Sequence, residues 1–457
     1  MRSKGVDGKL RESRGSQHGE TSRHTTAEQE ADHRRQQLQR NVSHPTVDAY
    51  PGVAGVVASA SAFVRFRPGL CTLRVVGRSR EGRPLYVLTV GRDRPRVRNV
   101  LVVAGPHADE RVGAASAMRI AERVALDPRL HAGAGAAWHF LLCLDPDGTL
   151  RTESGPAVRR TPAEHFRYAY RPPADEQPEW APSIRPADDA LPESEALIAL
   201  IDELRPVLQC SLHGNDIGGA WVQLTRELPG LAEALGKICA ERDVPVQTGT
   251  YDALYWPETG PGVYLMPGPG EQAQFDSLPE DVGGSTWTRP HAYGGMTALF
   301  EVPMWASPGV ADSSVHPDPA RALADTAARL REQSRTAEQL LRRVRGRVPA
   351  RDPRLLRIAS GLAEMAPQVA AEWEGLHAAP PVRLTRAHVA ALDVAARRMA
   401  LRLAGALAQL GSAEAESLLT AWAADLAATH TLTWLPVPTQ VDLQTESVLT
   451  TARLLLP

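Results

Sequence analysis

The segment Gly105-Pro106-His107-Ala108-Asp109-Glu110 sets an imidazole and a carboxylate three positions apart, directly after the apolar run Asn99–Ala104. On a helical turn residues at that spacing share one face, so both side chains can reach a common point. About a hundred residues on, Leu208-Gln209-Cys210-Ser211-Leu212-His213-Gly214 brings a second histidine to the end of another apolar run. Two imidazoles and one carboxylate form the donor set of a catalytic zinc site, which takes three protein ligands and leaves one position for water. His107, Glu110 and His213 are therefore the candidate ligands of one Zn2+ ion. A third apolar run, Ala298-Leu299-Phe300, closes on Glu301. A lone H-x-x-E is a weak signal that usually marks a surface pair. Three strand ends that carry imidazole and carboxylate groups are a stronger one.

The elements that must position these groups follow an α/β pattern. Ala54–Phe66 reads as a short helix. Cys71–Val76 and Leu85–Val90 read as strands separated by a turn-like Gly77–Gly82. Asn99–Ala104 and Trp138–Leu144 are near-continuous apolar runs, the mark of strands buried on both faces. The turn signal Asp145-Pro146-Asp147-Gly148 ends the second of them. Helical spacing recurs over Ala114–Ala125, Glu193–Leu204 and Leu231–Arg242, and Val207–Leu212 and Met296–Val302 are further strands. This alternation predicts an α/β fold with a mixed, mostly parallel central sheet flanked by helices. Ligands at the carboxyl ends of neighbouring strands would converge on one crevice. Gly218-Gly219 and Trp256–Gly270 read as loops shaping it, with Trp256, Tyr264 and Trp287 as lining candidates.

The 457 residues carry 51 basic and 53 acidic side chains, with 43% hydrophobic and 23% charged residues. That is an ordinary globular composition, and it gives no global reason to expect nucleic acid or an anionic membrane as partner. None of the four cysteines forms a C-x-x-C pair, which argues against a cysteine zinc site. Residues 1–45 are polar and read as a disordered tail. Met1–His44 holds no apolar signal segment, so cytoplasmic residence is the expectation. The catalytic domain is expected over residues 46–315. Residues 316–457, rich in Ala, Leu, Arg and Glu at helical period, are expected to form a separate C-terminal helical module.

The motif order resembles that of the zinc carboxypeptidases of the A/B type. Gly105–Glu110, Asp145–Gly148 (close to the family's Asn-Pro-Asp-Gly), Ser211–Asn215, Thr297–Glu301 and the opening Val76–Gly91 carry the likeness, which spans about residues 46–310. By this resemblance Glu301 is the general base that takes a proton from the attacking water and passes it to the leaving amine. Arg159 and Arg160 lie about where the family has its oxyanion-stabilising arginine, and Arg160 is the preferred candidate. The family's Asn-Arg grip on the substrate carboxylate is missing, and Arg167 or Arg171 is the expected replacement. The aspartate that in the family accepts from the first histidine's far nitrogen is missing too, leaving Asp145 or Asp147 to serve. Tyr293 stands in for the family's tyrosine. The implied function is a zinc-dependent metallocarboxypeptidase acting on a peptide or an amidated amino acid. Two other readings stay open: an N-acyl amino acid deacylase of the succinylglutamate desuccinylase/aspartoacylase type, and a catalytically silent binding module.

Overall fold

The computed structural model describes residues 48–91, 97–268, 281–347, 352–376 and 384–456. The tail expected over residues 1–45 lies outside them. The strands are β1 (Cys71–Arg78), β2 (Pro84–Val90), β3 (Arg98–Ala104), β4 (Ala136–Leu141), β5 (Leu208–Gly218), β6 (Trp221–Leu224), β7 (Glu258–Gly260), β8 (Val263–Leu265), β9 (Met296–Ala306) and β10 (Thr433–Trp434). The helices that matter here are α1 (Val53–Phe66), α2 (Val112–Leu126), α3 (Pro146–Thr152), α4 (Pro162–Arg167), α5 (Pro192–Leu204), α6 (Leu231–Ala240), α7 (Pro319–Arg347), α8 (Pro353–Gly375), α9 (Arg386–Gln409), α10 (Ala413–Thr429) and α11 (Val437–Leu455).

The strands form one mixed sheet in the order β1-β2-β4-β3-β5-β9-β6-β8-β7, with β10 added beside β9. Its centre, β4-β3-β5-β9, is parallel throughout. Antiparallel pairs flank it on both sides, β1 with β2 and β2 with β4 on one, β6 with β9 on the other. The expected α/β architecture is therefore present, with parallel pairing in the middle of the sheet and again between β6 and β8 toward one edge.

Side chains alternate across a strand, so each strand serves two layers. On one face Val100, Val102, Cys210, Leu212, Ala298 and Phe300 pack beneath α1, α2, α6 and α11 in a continuous apolar core. On the other face α5 covers Leu85, Val87, Leu101, Val103 and Leu141 with Leu197, Leu200, Ile201 and Leu204. That cover stops at β3. Farther along, β5 and β9 turn Gln209, Ser211 and His213, and Thr297, Leu299 and Glu301, to the side that α5 leaves free. Polar groups on a buried sheet face need hydrogen-bonding partners, and this is the stretch that builds the site.

Two expectations of element ends are corrected. β5 does not stop at His213, nor β9 at Glu301; they pair in parallel register as far as Gly218 and Ala306. Continued pairing satisfies the backbone groups that an early stop would leave open. His107 and Glu110 do not lie on a helix either. They occupy a tight turn closed by Glu110 N–H donating to the His107 carbonyl at 3.2 Å, and α2 starts only at Val112. Gly105, at φ +59°, begins that turn, and a Cβ there would come within 3.0 Å of the Cys143 sulfur. The Asp145–Gly148 turn is the start of α3, with the Asp145 carboxylate accepting from Gly148 N–H at 2.9 Å.

The described residues all fall in one compact unit, so no boundary falls at residue 316. The reason lies in what the C-terminal helices bury. Leu443, Val448 and Leu449 of α11 complete the main core. Leu401, Ala404, Leu419 and Leu426 of α9 and α10 pack against Phe166, Ile217 and Trp305. Gly405 lets α9 seat on α4, since a Cβ there would meet the Phe166 carbonyl oxygen at 2.1 Å. Among the described residues no helix is long and apolar enough to cross a membrane.

One buried acid in this frame predicts how stability follows pH. Burial pushes the Glu122 carboxyl from its ordinary 4.5 to about 7, against the pull of Arg119. The folded state therefore holds this proton more tightly than the unfolded chain does. The contribution is complete below about pH 4.5 and is lost as pH rises through about 7. Glu122→Gln should match the native protein in urea unfolding near pH 4 and exceed it by about 3 kcal/mol near pH 8. A gap that does not change between the two pH values would contradict this.

Candidate metal centre

The β3–α2 turn and the middle of β5 bring His107, Glu110 and His213 together. One nitrogen or oxygen from each lies within 4.8 Å of the others, and all three residues are buried. The Glu110 carboxylate is the common partner. His107 Nδ1 is 3.0 Å from its Oε1, and His213 Nδ1 is 3.0 Å from its Oε2. Gly214 N–H donates to Oε2 at 3.1 Å, and the Arg171 guanidinium pairs with Oε1. The two rings stand edge to face with centroids 4.8 Å apart.

The electrostatics follow from this packing. Burial alone would raise the Glu110 carboxyl, but His107, Arg171 and His213 hold it well below the usual range. Burial and then Arg171 push the His107 imidazolium down. Burial works the same way on His213, but Glu110 and Glu179, one at each ring nitrogen, lift it to about 10. Protons on the two Nδ1 atoms thus do here what a cation would do, bridging imidazole and carboxylate. A soft imidazole pair with one carboxylate suits zinc, and ligation would release such protons. The donor chemistry therefore fits the ion that the residue types suggest.

Glu301 is the register partner of His213 on β9, and Trp221 of β6 is its partner on the other side. Burial, then the charge of Glu110, raises its carboxyl to about 8. It faces a cleft of about 730 Å3 that also takes in His107, Glu110 and His213. Trp180, Trp256, Trp287 and Leu299 line one side of this cleft, and Leu362, Met365 and Met399 from α8 and α9 line the other. Tyr264 instead packs beneath Trp221, its hydroxyl 3.3 Å from the Gln247 carbonyl.

The arginine and tyrosine candidates divide. Arg171 is at the centre, paired with Glu110 and, at 3.1 Å, with Asp109. Arg160 is not: it is exposed, and its Nε lies 3.3 Å from Asp48. Arg159 is buried beside it, donating to the Pro156 carbonyl at 3.1 Å. Arg167 pairs with Glu416 at 2.5 Å, because α4 turns this side chain to α10 and not to the cleft. Tyr293 donates to Asp202 at 2.9 Å in the turn before β9. Glu301 is five residues into that strand, roughly 16 Å along it at the usual rise, which is why Tyr293 does not reach the site. Asp145 caps α3 and Asp147 binds Ser79 and Arg83, so neither serves His107. His107 Nε2 has no hydrogen-bond partner among the described residues.

The structure adds residues that spacing did not point to. Glu179, fully buried, accepts from His213 Nε2 at 2.9 Å and from the Ser211 hydroxyl at 2.7 Å. Asp216, two residues past Gly214, is bound by His165, Arg398 and Arg402, each at 2.8 Å. Arg398 and Arg402 stand one turn apart on α9. In the sequence that pattern is indistinguishable from a solvated helix face, and nothing marks Glu179 in its loop.

Because three cationic or polar partners converge on it, Asp216 should be among the least replaceable residues of the cleft wall. Asp216→Ala leaves Arg398 without its carboxylate partner and Arg402 with Asp109 alone, at 3.3 Å, and should cost about 3–5 kcal/mol in urea unfolding. Arg398→Met should cost less, since Arg402 and His165 still hold the carboxylate. Equal losses would show that the charge of Asp216 is not what organises this wall.

Residues 56–217 match the sequence model of a family described as zinc carboxypeptidase. No curated protein matches the chain. Among solved structures, thrombin activatable fibrinolysis inhibitor aligns with 13% identity and a TM-score of 0.36, over 57% of this chain and 68% of that one. A metallo-carboxypeptidase from Burkholderia cenocepacia aligns with 18% identity and a TM-score of 0.34, over 54% and 59%. Carboxypeptidase A from Helicoverpa armigera aligns with 14% identity and a TM-score of 0.37, over 56% and 65%. This chain thus spans less than two thirds of the last two. Superpositions this loose add nothing to the sequence match. Residues 56–217 hold all three metal-donor candidates, and it is this segment of the chain that matches the zinc carboxypeptidase family.

Proposed function

We propose that this chain is a zinc-dependent hydrolase of a peptide or amide bond, acting as a metallocarboxypeptidase. The observation that carries the reading is the pairing of His213 with Glu301 across β5 and β9, which sets a raised carboxyl beside the three-donor centre in one cleft. His107, Glu110 and His213 would hold one Zn2+ ion, which when bound supplies Lewis acidity toward water and a scissile carbonyl.

The chain's own groups then have separate tasks. Glu301 accepts a proton from the attacking water and returns it to the leaving nitrogen. A carboxyl whose proton affinity is raised toward neutrality is suited to both halves of that transfer. Arg171, on the edge of the donor set, offers positive charge where negative charge develops on the carbonyl oxygen. It takes the task that sequence position suggested for Arg160. Arg398 reaches the cleft from α9 with Nε committed to Asp216. Its remaining nitrogens suit a carboxylate of the substrate. The aromatic and methionine side chains of the cleft exclude water and receive an apolar group of the substrate.

Purified protein should contain about one equivalent of zinc, lost in His107→Ala. Glu301→Gln should keep the metal and lose turnover by about 10²–10⁴-fold. Zinc content with no turnover on any peptide or N-acyl amino acid, unaffected by Glu301→Gln, would favour a silent binding module. Arg398→Met should raise KM for peptides with a free terminal carboxylate and leave it unchanged for their amides. Turnover of N-acyl amino acids without release of C-terminal residues would move the assignment to a deacylase.

A further inference from the structure

We infer that Glu179 is the residue that positions the metal centre, by fixing which nitrogen of His213 faces the ion. The inference rests on the zinc reading of His107, Glu110 and His213. The two histidines of the donor set are held differently at their far nitrogens. His213 Nε2 is 2.9 Å from Glu179 Oε2, inside a fully buried contact. His107 Nε2 is buried with no hydrogen-bond partner among the described residues. Only one of the two rings therefore has a carboxylate behind it.

The position of that carboxylate is itself constrained. Its second oxygen accepts from the Ser211 hydroxyl at 2.7 Å, on the same strand as His213. The backbone carbonyl of Glu179 accepts from Thr286 N–H at 3.0 Å. The Pro178 carbonyl before it accepts from the Ser194 hydroxyl on α5 at 2.6 Å. The loop is thus tied to α5, to β5 and to the segment before β9, and Glu179 has little freedom to move away. A carboxylate acceptor at Nε2 keeps a proton on that nitrogen, so that when an ion displaces the Nδ1 proton the Nδ1 lone pair is the one that faces the point where the other donors converge. It also raises the basicity of the ligating nitrogen. Burying an ionised carboxylate is unfavourable unless it is paired. A buried acid whose two oxygens serve a metal-donor histidine and its strand neighbour is thus placed for that histidine.

The test measures metal affinity and ligand field, not turnover. Zn2+ dissociation constants are obtained by competition with a chromophoric chelator, and visible absorption spectra by Co2+ substitution, for the native chain, His107→Ala, Glu179→Gln and Glu179→Ala. Glu179→Gln preserves size and one acceptor, so it keeps the fold testable should Glu179→Ala fail to fold. Circular dichroism and melting of the metal-free forms establish that. Weakening of Zn2+ binding by about 10–100-fold in Glu179→Gln, with a shifted Co2+ spectrum and an unchanged metal-free melting point, is the expected result. Native-like affinity and spectrum in the folded Glu179 variants, with binding still abolished in His107→Ala, would overturn the role of Glu179 and leave the zinc reading intact. Absence in the native chain of any Zn2+ binding that His107→Ala removes would overturn both.

Discussion

A single carboxylate organises this molecule's cleft. Glu110 is contacted by His107, His213, Arg171 and the Gly214 amide. These partners come from a turn, two places on one strand and a loop more than sixty residues away in sequence. Removing an ionised carboxylate from water is costly unless several donors replace the lost hydration. The surrounding architecture supplies them: β5 runs beside β3, the Gly105 turn brings the H-x-x-E segment over the strand ends, and the loop after α4 delivers the guanidinium. The site's geometry is in this sense the solution to burying one charge.

The same requirement explains why the C-terminal helices are not a detachable module. α5 covers the second face of the sheet only as far as β3, and the polar residues of β5 and β9 would otherwise face solvent. α8 and α9 wall the cleft above them, and the Asp216 cluster ties α9 to the end of β5. Arg398 and Arg402 thus reach the cleft from a helix whose sequence reads as ordinary amphipathic surface. Charge that looks like solubility in one dimension becomes cleft wall in three.

The two donor histidines are held unequally at their far nitrogens, which bears on chemistry. His213 is gripped at both nitrogens, His107 at one. Neither Asp145 nor Asp147 fills the gap. Asp145 is consumed in capping α3, and Asp147 in binding Ser79 and Arg83 across the β1–β2 turn. Both aspartates therefore stabilise the frame from which the H-x-x-E turn is hung.

The sequence by itself determined the α/β class, most element positions, and the set His107, Glu110, His213 and Glu301. These are set by short-range chemistry: apolar runs that must be buried, turn residues that end them, and donor types with few other uses together. It misjudged where β5 and β9 end, because strand length depends on pairing with a distant strand and not on local composition. It misplaced Arg160, Arg167 and Tyr293, because the direction of a loop or short helix is decided by what packs on it; α10 takes Arg167, and α5 takes Tyr293 through Asp202. Glu179 and Arg398 were invisible for the same reason. A buried ion pair between residues 34 or 182 positions apart leaves no local pattern, and only the folded chain brings its members within hydrogen-bonding distance.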